Sequence, residues 1–242
     1  RIASLGTEPI SKLLIGFSIP AILSMVVEAL YNFVDRYFVA LGVGYLGVAG
    51  ITLNFPISLA VMAFALVVGV GGNTLFSLRL GEKKRGQAAI ILNNSIFLLI
   101  VIGIVVFIVG QIFAEPLLRF IGASDETLPY ALDYLRIVLF GSLFQTLTPG
   151  LNNFIRSMGH PKAALVRSFV GAVVNIALDW LFIMKFGWGI KGAAWATVIA
   201  QFCAWVAVLT FFFRKETQIR LNIKQMKLQM IFIRRIVIMG LP

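Results

Sequence analysis

Six stretches of roughly 20 or more residues, nearly free of charge, recur along this chain, each bounded by turn residues or by Lys and Arg. A bilayer's hydrocarbon core is about 30 Å thick and a helix rises about 1.5 Å per residue, so each run is long enough to cross it. No soluble core absorbs six such runs within 242 residues. In lipid every backbone polar group must be satisfied inside its own segment, and the runs lack the alternation of barrel strands. The pattern therefore dictates an all-α, polytopic, six-helix membrane bundle. Composition agrees: 13% of residues are charged, about half the usual share of a soluble domain. The 22 glycines suit helices that pack backbone to backbone.

The runs predict helices at about Lys12–Ala40, Val48–Leu78, Ala88–Phe113, Leu128–Ser157, Ala163–Met184 and Ala193–Phe213. Pro20 lies inside the first and predicts a bend, and Pro149 with Gly150 predicts an interruption of the fourth. Gly42, Gly44 and Gly47 read as a turn, and residues 114–127 as an acidic connector. The Gly69–Gly72 run is embedded in apolar sequence, so close helix contact explains it better than a phosphate loop does.

A net charge of +11 would suggest nucleic acid in a soluble protein. Here 16 of the 21 Lys and Arg residues fall in 1–12, 79–85, 156–167 and 214–235, at one set of helix ends. The positive-inside rule expects those ends, and both termini of this chain, in the cytoplasm of a multi-pass inner (plasma) membrane protein. The basic patches then serve topology and contact with lipid, and no nucleic-acid partner is expected. Asp133 and Arg136 are spaced as an i,i+3 pair, and His160 reads as a solvated loop residue.

The segments divide into a lobe at 1–213, a basic linker at 214–230 and the start of a seventh helix at 231–242. RRIVIMGLP at 234–242 echoes KLLIGFSIP at 12–20, with Pro ninth in both. Transporters are often built from two pseudo-symmetric halves, so the echo suggests that a second six-helix lobe begins there and is truncated.

Charge inside the membrane locates the chemistry. Asp35 lies about five residues from the far end of the first helix, and Asp179 about as far from that end of the fifth. A carboxylate at membrane depth is unfavourable by about 2.5–3.5 kcal/mol on insertion scales, so it is rarely present without a partner or a task. Asn175 is one turn from Asp179 on the same face, and Thr197 and Tyr134 reach a similar depth from the sixth and fourth helices. Two carboxylates with an amide and a hydroxyl either share a proton or hold a hard cation, and do not suit a thiolate-loving metal. Two structural alternatives stand beside that reading: Thr197 as interhelical glue, and neutralisation of Asp35 by Arg36, although adjacent residues diverge by about 100° on a helix. Cys203 is the only cysteine and His160 the only histidine, which removes thiolate metal sites and most acid–base chemistry.

NFVDRYFVA at 32–40, after a Pro-containing helix, resembles the first-helix signature of the multidrug and toxic compound extrusion (MATE) transporters. NIALD at 175–179 and RSMGHP at 156–161 are similar to the same family, in particular its prokaryotic DinF-like branch. The resemblance implies one lobe of a twelve-helix secondary antiporter that exports organic, often cationic, drugs or toxic compounds against inward H⁺ or Na⁺, without a cofactor. It implies a cation site at Asp35, Asn175, Asp179 and Thr197, with Tyr134 and Asn152 in the supporting hydrogen-bond network. Pro20 would be where the first helix bends as Asp35 changes charge, and Glu28 either lines the inter-lobe cavity or is protonated and hydrogen-bonded. A lipid-linked oligosaccharide flippase of related plan is the competing function. A membrane-embedded enzyme is disfavoured because the chain has no HExxH, no GxSxG and no Ser/His pair at membrane depth.

Overall fold

The computed structural model describes residues 10–213 and 229–241, and among them there are helices and turns but no strand. The helices are α1 (Ile10–Gly42), α2 (Tyr45–Gly81), α3 (Arg85–Ile121), α4 (Leu128–Val138), α5 (Ser142–Ser157), α6 (Pro161–Asp179), α7 (Gly189–Phe213) and α8 (Met230–Gly240). A 3-10 turn, Leu139–Gly141, joins α4 to α5, and a π turn, Trp180–Lys185, extends α6. Five segments are individually long and apolar enough to cross a membrane: Leu14–Gly42, Tyr45–Gly81, Arg85–Ile121, Pro161–Lys185 and Gly189–Phe213. The sixth crossing is composite, running from α4 through the 3-10 turn into α5 with right-handed helical backbone at Val138, Leu139 and Ser142.

Several helix limits differ from the sequence expectation. The fourth helix is not interrupted at Pro149 and Gly150; α5 runs through both, and helical geometry tightens at Leu139–Gly141 instead. Packing overrides the missing proline amide, since Thr146 Oγ1 donates to the Leu99 carbonyl and Gly150 sits directly under the Leu99 side chain. The third helix does not stop at Phe113 but continues through Pro116 to Ile121. Arg119 secures that extra stretch through ion pairs with Glu115 (3.0 Å) and Asp125 (3.1 Å). Gly122, at φ 107°, closes the helix with bonds from Gly122 and Ala123 amides back to Arg119 and Leu118. The first helix runs through Gly42 and the second begins at Tyr45, so Gly42 and Gly47 are helical and Gly44 alone of the three lies in the turn.

Glycine contacts organise the core. A Cβ at Gly103 would stand 2.9 Å from the Leu143 Cα, and one at Gly69 3.3 Å from the Gly150 Cα. These approaches bring α2, α3 and α5 together around Phe76 and Phe154, whose rings meet edge-on at 5.2 Å. Gly71 of α2 lies against the backbone of α8 at Ile236 and Gly240, the close contact expected of the Gly69–Gly72 run. Phe232 and Ile236 of α8 join the same core, and the Gln229 amide at the head of α8 donates to Asn94 Oδ1 (3.1 Å).

At the basic end, Glu82 bonds Arg79 (2.7 Å) and Lys84 (3.0 Å), and Lys84 foremost holds its carboxyl below the usual carboxylate range. Arg167 is buried and donates to the Ala207 and Ala163 carbonyls, tying α6 to α7. His160 is partly buried and packs edge-on against Phe211 at 5.2 Å, contrary to the solvated expectation. The expected linker at 214–230 lies outside the described residues except for its last two, and Arg1 lies outside them as well.

Candidate functional site

The carboxylate pair forms where α1 and α6 pack against each other near the far end of the bundle. α1 presents Asp35, 6% exposed, and α6 presents Asp179, fully buried, one residue before its geometry widens into the π turn. Their carboxyl groups are near enough to interact directly with each other. Asp35 Oδ1 and both Asp179 oxygens are buried with no N–H or O–H donor from the protein. Two carboxylates so placed repel unless a proton or a cation lies between them. The fold thus sets Asp35 and Asp179 side by side.

Around the pair, Tyr134 of α4 is buried and within hydrogen-bonding reach of Thr197 of α7. Thr197 Oγ1 donates to the Ala193 carbonyl (3.0 Å), which leaves its lone pairs for the Tyr134 hydroxyl. Thr197 is thus bound within its own helix and also faces α4. Asn175 is 2% exposed, one turn below Asp179, and neither atom of its amide has a protein partner. Arg36 acts on Asp35 through its charge, while its guanidinium lies over the Phe55 ring at 5.7 Å.

Asn152 stands apart. It is 18 residues beyond Tyr134 along the composite helix, about 27 Å at 1.5 Å per residue, and its buried Oδ1 has no partner. Pro20 is inside an unbroken α1, with Ser24 Oγ donating to the Pro20 carbonyl (2.8 Å). Glu28 is exposed on α1, and its charge interacts with that of Arg156 on α5. Asp133 pairs with Lys191 (3.3 Å), not with Arg136, because α4 packs against α7 and brings that partner across.

Two residues escaped the sequence reading. Tyr31, one turn below Asp35 on α1, interacts electrostatically with Glu28, Asp35 and Tyr134. Its i,i+4 spacing from Asp35 was the available signal. Gln201 of α7, one turn from Thr197, has a buried and unpartnered Oε1 that occupies the space left by the missing side chain of Gly141.

Residues 20–181 match the MatE family model. The multidrug export protein MepA of Staphylococcus haemolyticus is 28% identical over 233 residues, covering 96% of this chain and 52% of the relative. MepA of Staphylococcus aureus is 26% identical over 235 residues, covering 97% of this chain and 52% of the relative. Among solved structures, the MATE multidrug transporter DinF-BH in complex with R6G superposes with a TM-score of 0.91 at 39% identity, covering 98% of this chain and 53% of that one. A MATE in the bent conformation gives 0.89 at 27% identity, covering 96% of this chain and 52% of that one. The chain spans about half the length of the curated relatives it matches.

Proposed function

The chain belongs to the MatE family, and on that premise we propose that it forms one six-helix lobe of a cation-coupled multidrug exporter. The observation that carries the reading is the Asp35–Asp179 pair, whose buried oxygens have no protein donor at membrane depth. The relatives named for multidrug export, and solved MATE transporters twice as long as this chain, support it. In this reading Asp35, Asp179, Asn175 and Thr197 hold H⁺ or Na⁺, and Tyr134 orients Thr197. Occupancy by the cation stabilises one arrangement of the lobe, and the exported organic compound stabilises another. That exchange requires each ligand to bind the two arrangements differently.

The distribution of Lys and Arg supports an orientation with residues 79–85 and 156–167 on the cytoplasmic side of the plasma membrane. α8 is then the first helix of the second lobe, and Pro20, whose missing amide weakens the ladder of α1, is where that helix flexes. Glu28 faces the cavity between lobes.

Asp35→Asn and Asp179→Asn in the full-length transporter test the assignment. Each keeps the shape but removes the charge, and each is expected to reduce ion-driven export from proteoliposomes by roughly tenfold or more, within the usual range of coupling energies. Full export by both variants would remove the carboxylates from the coupling site. Imposing a Na⁺ gradient and then a pH gradient on the unaltered protein identifies the ion.

A further inference from the structure

Arg36 follows the site aspartate directly in the chain, yet the two do not pair. Its guanidinium lies over the ring of Phe55 on α2, 5.7 Å from the centroid and within the range of a cation–π contact. Among the described residues Arg36 forms no ion pair with a carboxylate. The charged and hydroxyl groups that act on Asp35 or respond to it are Asp179 from α6, Tyr134 from α4, and Tyr31 and Arg36 from α1 itself. Arg36 is the cation of that set, and its charge reaches Asp35 from the ring.

The backbone beneath that ring is firmly seated. Asn54, its neighbour in the chain, is buried and donates through Nδ2 to the Gly50 carbonyl (2.8 Å) and, across to α4, to the Ala131 carbonyl (3.0 Å). Gly50 lies directly against α4, where an added Cβ would stand 2.9 Å from the Tyr130 Cβ and 3.0 Å from the Ala131 nitrogen. Phe55 itself is 55% exposed, so its face is open to the guanidinium. α1 packs on α6 and α2 on α4, so the contact joins the helix pair that carries the carboxylates to the pair beside it.

A buried carboxylate ordinarily takes a nearby cation as its partner, and the planar fork of arginine suits that bond best. Neighbouring side chains diverge by about 100° on a helix, but the long stem of arginine is flexible enough to fold back. A guanidinium closed onto Asp35 would occupy the oxygens that a coupling ion needs and would repel that ion as a like charge. On the ring it does neither, and Asp35 Oδ1 is left without a protein donor.

We propose that Phe55 holds the guanidinium of Arg36 off the carboxylate pair, which makes both of them positioning residues that set how tightly the pair binds its coupling ion. The proposal rests on the ion site argued above. Phe55 acts only through Arg36, and Arg36 acts only through its charge. The two therefore work in opposite senses: losing the ring brings a competing cation to Asp35, and losing the guanidinium removes it.

The test uses the full-length transporter in proteoliposomes, with export of ethidium, a fluorescent organic cation, recorded as the driving ion (H⁺ or Na⁺) is varied. Phe55→Leu is expected to raise the half-saturating ion concentration by about tenfold, as one charge-assisted hydrogen bond competing for the carboxylate would. Arg36→Gln is expected to lower it severalfold, and the double variant to match Arg36→Gln. Returning a ring with Phe55→Tyr is expected to restore the wild-type value. A purely structural Phe55 would lower maximal export and leave half-saturation unchanged; that result, or a double variant as weak as Phe55→Leu, overturns the proposal. If Phe55→Leu is not folded, Arg36→Gln decides, and a half-saturation at or above the wild-type value overturns it. Full export by Asp35→Asn and Asp179→Asn overturns the ion site itself, whereas inactive aspartate variants beside unshifted Phe55 and Arg36 variants overturn this proposal alone.

Discussion

At the scale of single residues, the site depends on a few polar atoms whose partners come from other helices. Tyr134 is the clearest, because its buried side chain on α4 adjoins Thr197 of α7 and interacts with both aspartates. Tyr134→Phe is expected to cost about 0.5–1.5 kcal/mol, read as a lower thermal midpoint of the full-length transporter in detergent, with a slower ion-driven export. An unchanged midpoint would mean the hydroxyl bonds water instead. Asp35, Asp179, Asn175 and Thr197 were legible in the sequence because charged and amide groups stand out in apolar helices. Tyr31 and Gln201 were not. Tyr31 does not stand out in an apolar run, and Gln201, although an amide, has no matching polar residue in the sequence pattern, so only the neighbours brought in by packing reveal what they face.

At the scale of elements, helix existence followed from hydropathy while helix limits followed from contacts. Pro149 reads as a break and Pro116 falls in an expected connector, yet each sits inside a helix whose cross-helix bonds or ion pairs outweigh the lost amide. The glycines divide in the same way. Gly86 has nothing within 4 Å of an added Cβ, whereas Gly103 would meet the Leu143 backbone at 2.9 Å. Gly103→Ala should therefore destabilise by about 1–3 kcal/mol, as overpacking does. Gly86→Ala should stabilise by up to about 1 kcal/mol through helix propensity. Thermal unfolding of both variants checks the pair; equal shifts would mean that the α3–α5 contact is looser than the distance implies.

At the scale of the whole molecule, the bundle is held near its basic end by the seating of α8 on α2. Gly71 and Gly240 let the two backbones touch, and Asn94 caps the first turn of α8. Gly71→Leu is expected to raise amide hydrogen exchange across residues 230–240 by roughly tenfold or more, because local opening has its own free energy. Exchange that stays at the wild-type rate would locate the attachment of α8 elsewhere. The far end is organised differently, by the π turn at Trp180–Lys185. Its bond from the Phe186 amide to the Leu181 carbonyl spans one residue more than an α turn does. That extra residue acts as a phase shifter in the chain. With it, Ile183 seats under Gly42 of α1 and Phe182 meets Gly192 of α7, while Asp179 keeps its bearing toward Asp35. Excising one residue there would turn everything downstream by about 100°, so the spacing between the aspartate and the next crossing is as fixed a part of the site as the aspartate itself.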